Sequence, residues 1–190
     1  MVERRWIRRL RDERGMTVIE ILVAASLMVV GVVAMMVTFD GSRDLVSTSE
    51  KNGIAAHRGE LEVEKALSLG YKNIALTSTP GHSGSSSSPD YYTNSDGTYQ
   101  WDQSVAPKPA DPLVVDVSNG AIAHVSTWND GQSRLSGSIY RYVTWIDDPH
   151  VAGTQNAKRI TVAVTVDQVS THGFKKPVLV SSIAIDPKAG

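Results

Sequence analysis

The residues of this chain that could do chemistry are few and scattered. No cysteine occurs among the 190 residues, which excludes disulfides, thiolate metal sites and cysteine nucleophiles. The histidines stand singly, without an HExxH motif or any paired spacing, and they are His57, His82, His124, His150 and His172. Because a zinc site needs several ligands at characteristic spacings, the sequence predicts no bound metal and no cofactor.

Two short stretches imitate functional motifs and lack a required residue. Gly81-His82-Ser83-Gly84-Ser85 has serine where a serine-hydrolase elbow needs its final glycine. Oxygen-bearing side chains around Gly97 suggest a calcium loop, namely Asn94, Asp96 and Asp102. The EF-hand frame would then need an acid at Tyr92 and a glutamate at Gln103, so it fails. The sequence predicts no catalytic residue, and the protein is not expected to be an enzyme.

Glu20 is the side chain that most needs an explanation. It stands at the head of the uncharged run 21–39, and a carboxylate near a bilayer centre costs about 2.5–3.5 kcal/mol to insert. Residues 1–15, before the run, hold six arginines against three acids, a net charge of +3. The rest of the chain has 13 basic and 17 acidic groups, so no strongly basic surface remains and no nucleic-acid partner is predicted.

The uncharged run predicts the helix on which Glu20 lies. As a helix, its 19 residues span roughly 28 Å, close to a hydrocarbon thickness of ~30 Å. The preceding arginines favour a cytoplasmic N-terminus. A cleaved secretory signal has a shorter apolar core, of about 7–15 residues. A plain single-pass anchor fits the length but gives no reason for Gly15 or Glu20.

The stretch Gly15-Met16-Thr17-Val18-Ile19-Glu20 resembles the class III signal of type IV pilins and type II secretion pseudopilins. In that family a basic leader ends in glycine, and glutamate is the fifth residue of the mature chain. The resemblance implies cleavage by prepilin peptidase between Gly15 and Met16, and N-methylation of Met16. It also implies that Glu20 pairs with the N-terminal amine of a neighbouring subunit during pilus assembly.

The resemblance further implies the partners and the location of the protein. The partners are prepilin peptidase, other pilin or pseudopilin subunits, an inner-membrane assembly platform and the lipid bilayer. The protein would cross the membrane once, with a cytoplasmic N-terminus and an extracytoplasmic C-terminal domain. It would then join a pilus or pseudopilus at the cell surface.

Two departures from the family pattern favour a minor pilin or a pseudopilin, or a pilin from a bacterium that does without the disulfide. Val37 stands where major pilins usually carry proline, and no disulfide can staple the C-terminal region. The alternative is a single-pass, membrane-anchored extracytoplasmic binding module that is not assembled into a filament. In that module the tyrosine-bearing loop would contact a surface ligand.

The sequence predicts an α+β fold in which a long N-terminal helix packs on a C-terminal antiparallel β-sheet. The helix is transmembrane in its first half and amphipathic in its second. The predicted segments are a cleaved basic leader at 1–15, a transmembrane or filament-core helix at 16–39 and its amphipathic continuation at 40–70. A flexible Ser/Gly/Pro-rich loop follows at 71–112, and the antiparallel sheet of the exported domain at 113–190.

Finer features follow from periodicity. The apolar stripe of the second half-helix is expected at Leu45, Ile54, Leu61 and Leu67, with Val63 and Ala66 at its margin. Gly70 is expected to end the helix in a left-handed conformation. Alternating residues predict strands at 113–117, 121–127, 138–146, 159–166 and 178–185. One face of the sheet is expected to cover a core and the other to face water.

Overall fold

A computed structural model gives the fold and describes residues 17–102, 104, 109–146, 156–167 and 176–187. One long helix, α1, spans Val18–Leu67, and its C-terminal part packs on a four-stranded antiparallel sheet. The predicted α+β class is therefore confirmed. The chain divides into two compact units, an N-terminal unit of residues 1–46 and a C-terminal unit of residues 47–190.

The C-terminal end of α1 differs from the prediction. The last turn tightens, because Leu69 N–H donates to the carbonyl of Ala66 at 3.2 Å. Gly70 has φ −61° and ψ 140°, an extended conformation, so the predicted left-handed cap is wrong. The glycine instead precedes the 3₁₀ helix Tyr71–Asn73, which reverses the chain toward the sheet.

The main sheet is a four-stranded meander in the order β3-β4-β5-β6. Its strands are β3 Val125–Asp130, β4 Leu135–Ile146, β5 Ala157–Val164 and β6 Val178–Ile185. All neighbouring pairs are antiparallel, so β3 and β6 form the two edges. The remaining strands, β1 Thr98–Tyr99 and β2 Asp111–Pro112, pair with each other in a small second sheet.

The helix-facing side of the main sheet holds the larger core. Valines and isoleucines of β4 and β5 are almost fully buried there, including Ile139, Val143, Ile160, Val162 and Val164. The helix contributes a stripe of mostly small residues, namely Ala55, Gly59, Val63 and Ala66. Since burial of branched side chains dominates folding free energy, this layer is the main source of stability in the C-terminal unit.

The buried stripe is rotated from the predicted one. Leu45 lies in the N-terminal unit and is 73% exposed, and Leu67 is 40% exposed. At Gly59 an added Cβ would lie 2.8 Å from Cγ2 of Val180 on β6, so helix and sheet approach closely at this point. Small residues permit this approach, and they carry little hydrophobic signal in the sequence.

The second face of the sheet is covered over the central strands β4 and β5, and only the edge strands expose side chains there, so the expectation of a face turned to water is wrong for the middle of the sheet. Tyr99 of β1 stacks on Tyr142 of β4 with ring centroids 3.9 Å apart, and both rings are fully buried with Ala163. Tyr92 and Trp101 pack against the same cluster. The aromatic residues of the segment between the helix and the sheet form this second layer, which explains why β5 is buried on both faces.

The segment 71–112 contains regular structure between its bends. Besides β1, β2 and Tyr71–Asn73, it holds a second 3₁₀ helix, Pro89–Tyr92, capped by the Ser88 hydroxyl, which accepts from Asp90 N–H. The boundaries of the five predicted segments, and the flexibility of this one, stay predictions.

Candidate functional site

Glu20 lies in the first turn of α1. Thr17 is the residue before the helix, and its hydroxyl oxygen accepts from Glu20 N–H at 3.3 Å. The Glu20 residue is exposed, and within the described residues its carboxylate has no hydrogen bond or ion pair. A carboxylate at this end of a helix is favoured by the partial positive charge of the helix N-terminus. Gly15 and Met16, the predicted cleavage and methylation residues, lie outside the described residues.

The spacing around Glu20 also offers a local role for its side chain, beyond the one that the resemblance implies. Thr17-Val18-Ile19-Glu20 has the Thr-x-x-Glu spacing of a capping box, in which the threonine caps the third helical N–H. The threonine half of that box is formed here. This spacing is readable from the sequence, and it gives Glu20 a second explanation that any test of assembly must separate.

The first part of α1 is exposed throughout, and its residues 21–39 form a continuous uncharged surface. Every residue from 17 to 46 is exposed, including large side chains on all sides of the helix such as Leu22, Leu27, Met36 and Phe39. The hydroxyls of this stretch donate to carbonyls four residues earlier, those of Ser26, Thr38 and Ser42 at 2.8, 2.9 and 2.9 Å. A helix satisfied in this way can enter an environment without water.

Helix α1 is long and apolar enough to cross a membrane. Its most apolar 18-residue window has a mean hydropathy of 2.6 and is wholly exposed in the N-terminal unit. A core helix of a globular domain would bury such a window. The finding supports a membrane segment by length and composition.

The side chains of the hydrolase-like and calcium-like stretches form hydrogen bonds within the segment 71–112. His82 Nδ1 lies 2.7 Å from the carbonyl oxygen of Thr93, and the Ser83 hydroxyl accepts from Ser85 N–H. Asp96 accepts from the backbone and hydroxyl of Thr98, which closes a turn. Asn94 Nδ2 donates to the same Thr98 hydroxyl, whereas Asp102 accepts from the Ser104 hydroxyl, a different partner. Among the described residues no cluster of three histidine or acidic side chains could hold a metal ion.

A buried polar cluster joins the covering segment to the sheet. Asp90 Oδ1 accepts from the Tyr142 hydroxyl at 2.6 Å and lies 2.9 Å from Nε2 of His124. Burial alone would raise the pKa of Asp90, but the hydrogen bonds from His124 and Tyr142 outweigh it and lower that pKa. Burial and the bond to Asp90 raise the pKa of Tyr142. These bonds fasten the covering segment to β4 and to the residue before β3.

An ion pair joins α1 to the sheet. Arg141 of β4 donates to Oε2 of Glu62 through Nη2 at 2.6 Å and Nε at 3.0 Å. Lys65 donates to the other oxygen of Glu62 at 2.6 Å. Burial would raise the pKa of Glu62, but the bonds from Lys65 and Arg141 lower it overall. The pair fixes the helix relative to β4.

Lys158 is a buried ammonium at the start of β5, only 3% exposed. Its Nζ donates to the carbonyls of Tyr71 and Ile74, each at 2.9 Å, and lies 4.5 Å from the Tyr71 ring centroid and 4.9 Å from that of Trp145. Burial lowers the pKa of Lys158. The amine thus fastens the turn after α1 to the sheet, and a cleft of about 830 Å³ opens beside it.

The tyrosines on which the binding-module alternative depends are mostly structural. Tyr99 is fully buried, Tyr92 packs against the Tyr99–Tyr142 cluster, and Tyr91 is 39% exposed.

Comparison of the chain with protein-family models, with curated proteins and with solved structures finds no match. Function therefore has to be inferred from the residues at the start of α1 and from the surface that follows them.

Proposed function

We propose that this chain is a structural subunit, a minor type IV pilin or a pseudopilin, that assembles through its N-terminal helix. Prepilin peptidase would cut between Gly15 and Met16, and the new N-terminus would be methylated. The observation that carries the proposal is the position of Glu20. Its carboxylate has no partner among the described residues, and it lies in the first turn of a helix whose next 19 residues are uncharged and exposed.

The physical role of Glu20 is to set the register between subunits. In an apolar environment both a carboxylate and a free amine lose their hydration, and pairing them offsets that loss. The amine of Met16 on one copy is the partner that cleavage creates for Glu20 on its neighbour. Any other axial offset between the two helices leaves both charges unpaired, so one alignment is preferred.

The membrane is the source of the subunits in this mechanism. The helix is inserted with its N-terminus in the cytoplasm and the C-terminal unit on the opposite side. An inner-membrane platform then draws subunits into a pilus or pseudopilus. During extraction, the exposed apolar surface of α1 exchanges lipid contacts for contacts with other subunits.

The proposal is tested by comparing Glu20→Gln with Glu20→Ala, because the capping box and the intersubunit ion pair respond differently. Glutamine keeps the reach and hydrogen-bonding groups that a capping box uses but has no charge. If Glu20 pairs with an amine, both variants should fall at least about ten-fold in incorporation into sheared filaments, since a paired charge contributes on the order of 1.4 kcal/mol or more.

Thr17→Ala is the matched control for the cap. It removes the hydroxyl that accepts from Glu20 N–H and leaves the carboxylate in place. This variant should assemble at close to the normal level. Normal incorporation of Glu20→Gln, together with loss in Thr17→Ala, would show that Glu20 acts only on its own helix and would overturn the assembly role.

A further inference from the structure

The edge strand β6 lacks the protection that edges of soluble sheets usually have. Its sequence, Val178–Ile185, contains no charged residue and no proline, and no described residue pairs with its outer edge. On the side away from α1 it exposes Leu179, Ile183 and Ile185, at 41%, 52% and 67%. Natural proteins normally break such an edge with lysine, proline or a bulge, so this edge is suited to accept another strand.

The opposite edge has a matching surface. Strand β3 spans Val125–Asp130, and no described residue pairs with its outer edge either. Its side chains away from α1 are exposed, and Val125 among them is 44% exposed. The strand ends at Asp130, and β6 begins just after the exposed Lys176, so an antiparallel arrangement would bring opposite charges together.

The number of strands determines which edges can meet. Four strands joined only by antiparallel pairs leave β3 and β6 running in opposite directions. Antiparallel pairing of β6 with β3 of a second copy therefore keeps both copies pointing the same way. Antiparallel pairing of β6 with β6 would require the C-terminal unit of one copy to be reversed, which does not occur between copies that repeat along one array.

We propose that the outer edge of β6 pairs antiparallel with β3 of a second copy, with Ile183 opposite Val125. In this register Leu179 lies opposite Asn129, and Lys176 lies opposite Gln132, two residues along the strand from Asp130. The contact deepens the proposed assembly function and rests on it for the common orientation of the copies. Such a contact joins different surfaces of the two copies, and repeating it with the natural twist of a sheet produces a helical array.

The test is disulfide cross-linking in the full-length chain, which has no native cysteine. Differently tagged Val125→Cys and Ile183→Cys chains are produced together in membranes and oxidised. Directly opposed residues have Cβ atoms ~4.5–5.5 Å apart, close enough for a disulfide after a small shift. We expect a mixed dimer, and no dimer when either variant is produced alone. Absence of the mixed dimer, or a dimer of Ile183→Cys with itself, would overturn the proposal.

A register control uses the same strand and the same face. Leu179→Cys lies four residues from position 183, about 14 Å along a strand, so it should cross-link at least ten-fold less with Val125→Cys than Ile183→Cys does. Leu179→Cys should instead cross-link with Asn129→Cys, which tests the register without either of the first two variants. Ser86→Cys, an exposed residue outside the main sheet, should form no mixed dimer with either partner.

The same membranes separate this proposal from the function on which it rests. The N-terminus of the chain is determined in parallel with the cross-links. In cells with an active prepilin peptidase, cross-links in a chain that keeps residues 1–15 would support the edge contact and contradict the pilin pathway. A chain cleaved before Met16 without cross-links would leave the pathway supported and overturn the edge contact.

Discussion

Glu62 accepts hydrogen bonds from two cations in very different surroundings. Arg141 is 11% exposed and reaches across from β4, whereas Lys65 is 72% exposed and lies one turn away on the same helix. Exposed pairs contribute little to stability, but removing one partner of a mostly buried pair leaves a charge without compensation. The ion pair between Glu62 and Arg141 therefore joins α1 to β4, whereas the pair between Glu62 and Lys65 lies on the surface of α1 alone.

Replacing Arg141 should destabilise the C-terminal unit much more than replacing Lys65. We expect Arg141→Met to lower the free energy of unfolding by about 2–3 kcal/mol, since Glu62 and the Ser126 hydroxyl lose a donor. Lys65→Met should cost less than about 0.5 kcal/mol. Urea unfolding of the full-length chain in detergent, followed by tryptophan fluorescence, measures both. Equal losses would show that the pair to Arg141 does not fasten α1 to the sheet.

Some residues with a specific structural or proposed functional role can be recognised from the sequence, and others cannot. The spacing from Gly15 to Glu20 and the uncharged run after it already point to the start of α1. The Thr17–Glu20 cap also has a signal, the Thr-x-x-Glu spacing. Lys158 has none, because lysine is normally exposed and only the tertiary fold brings the carbonyls of Tyr71 and Ile74 to its amine.

Among the elements, α1 carries four glycines, and two of them, Gly53 and Gly59, lie six residues apart in different surroundings. Gly53 is exposed, with no atom near the position of an added Cβ, whereas a Cβ at Gly59 would meet Val180 at 2.8 Å. Alanine is favoured over glycine in a helix by about 1 kcal/mol, but overpacking a core costs about 1–3 kcal/mol. Whether alanine in place of glycine stabilises or destabilises the protein therefore depends on whether the position lies in the close contact of α1 with β6.

Gly53→Ala and Gly59→Ala should shift stability in opposite directions. We expect Gly53→Ala to raise the free energy of unfolding by about 0.5–1 kcal/mol and Gly59→Ala to lower it by about 1–2 kcal/mol. Thermal unfolding followed by circular dichroism at 222 nm, a wavelength sensitive to the helix, compares the two variants. Stabilisation by Gly59→Ala would mean that α1 does not pack closely on β6.

Element types are more predictable from the sequence than the faces they bury. Strand β6 is predicted at 178–185, as observed, and the predicted β4 and β5 agree within three residues at each end. The predicted helical stripe is misplaced because Ala55 and Gly59 carry little apolar signal, although their small size is what permits close packing. The covered outer face is not predicted because alternation within β5 gives no information about Tyr99, which lies almost 60 residues earlier in the chain.

In the molecule as a whole, the two units differ in surface and packing. The N-terminal unit exposes an apolar helix that begins with a carboxylate, and the C-terminal unit is a sheet held to its part of α1 by a core and an ion pair. Two sheet edges that run in opposite directions allow copies of one orientation to join. Both features suit a subunit that leaves a membrane and adds to a growing array.

The proposed pathway is tested at its first step by the intact mass and N-terminal sequence of the protein purified from its native membrane. We expect a chain that begins at N-methylated Met16, and an uncut chain in the Gly15→Leu variant, because glycine at that position lets the backbone lie extended in a protease cleft. A chain that still carries residues 1–15 in cells with an active prepilin peptidase would contradict the assignment to the pilin pathway.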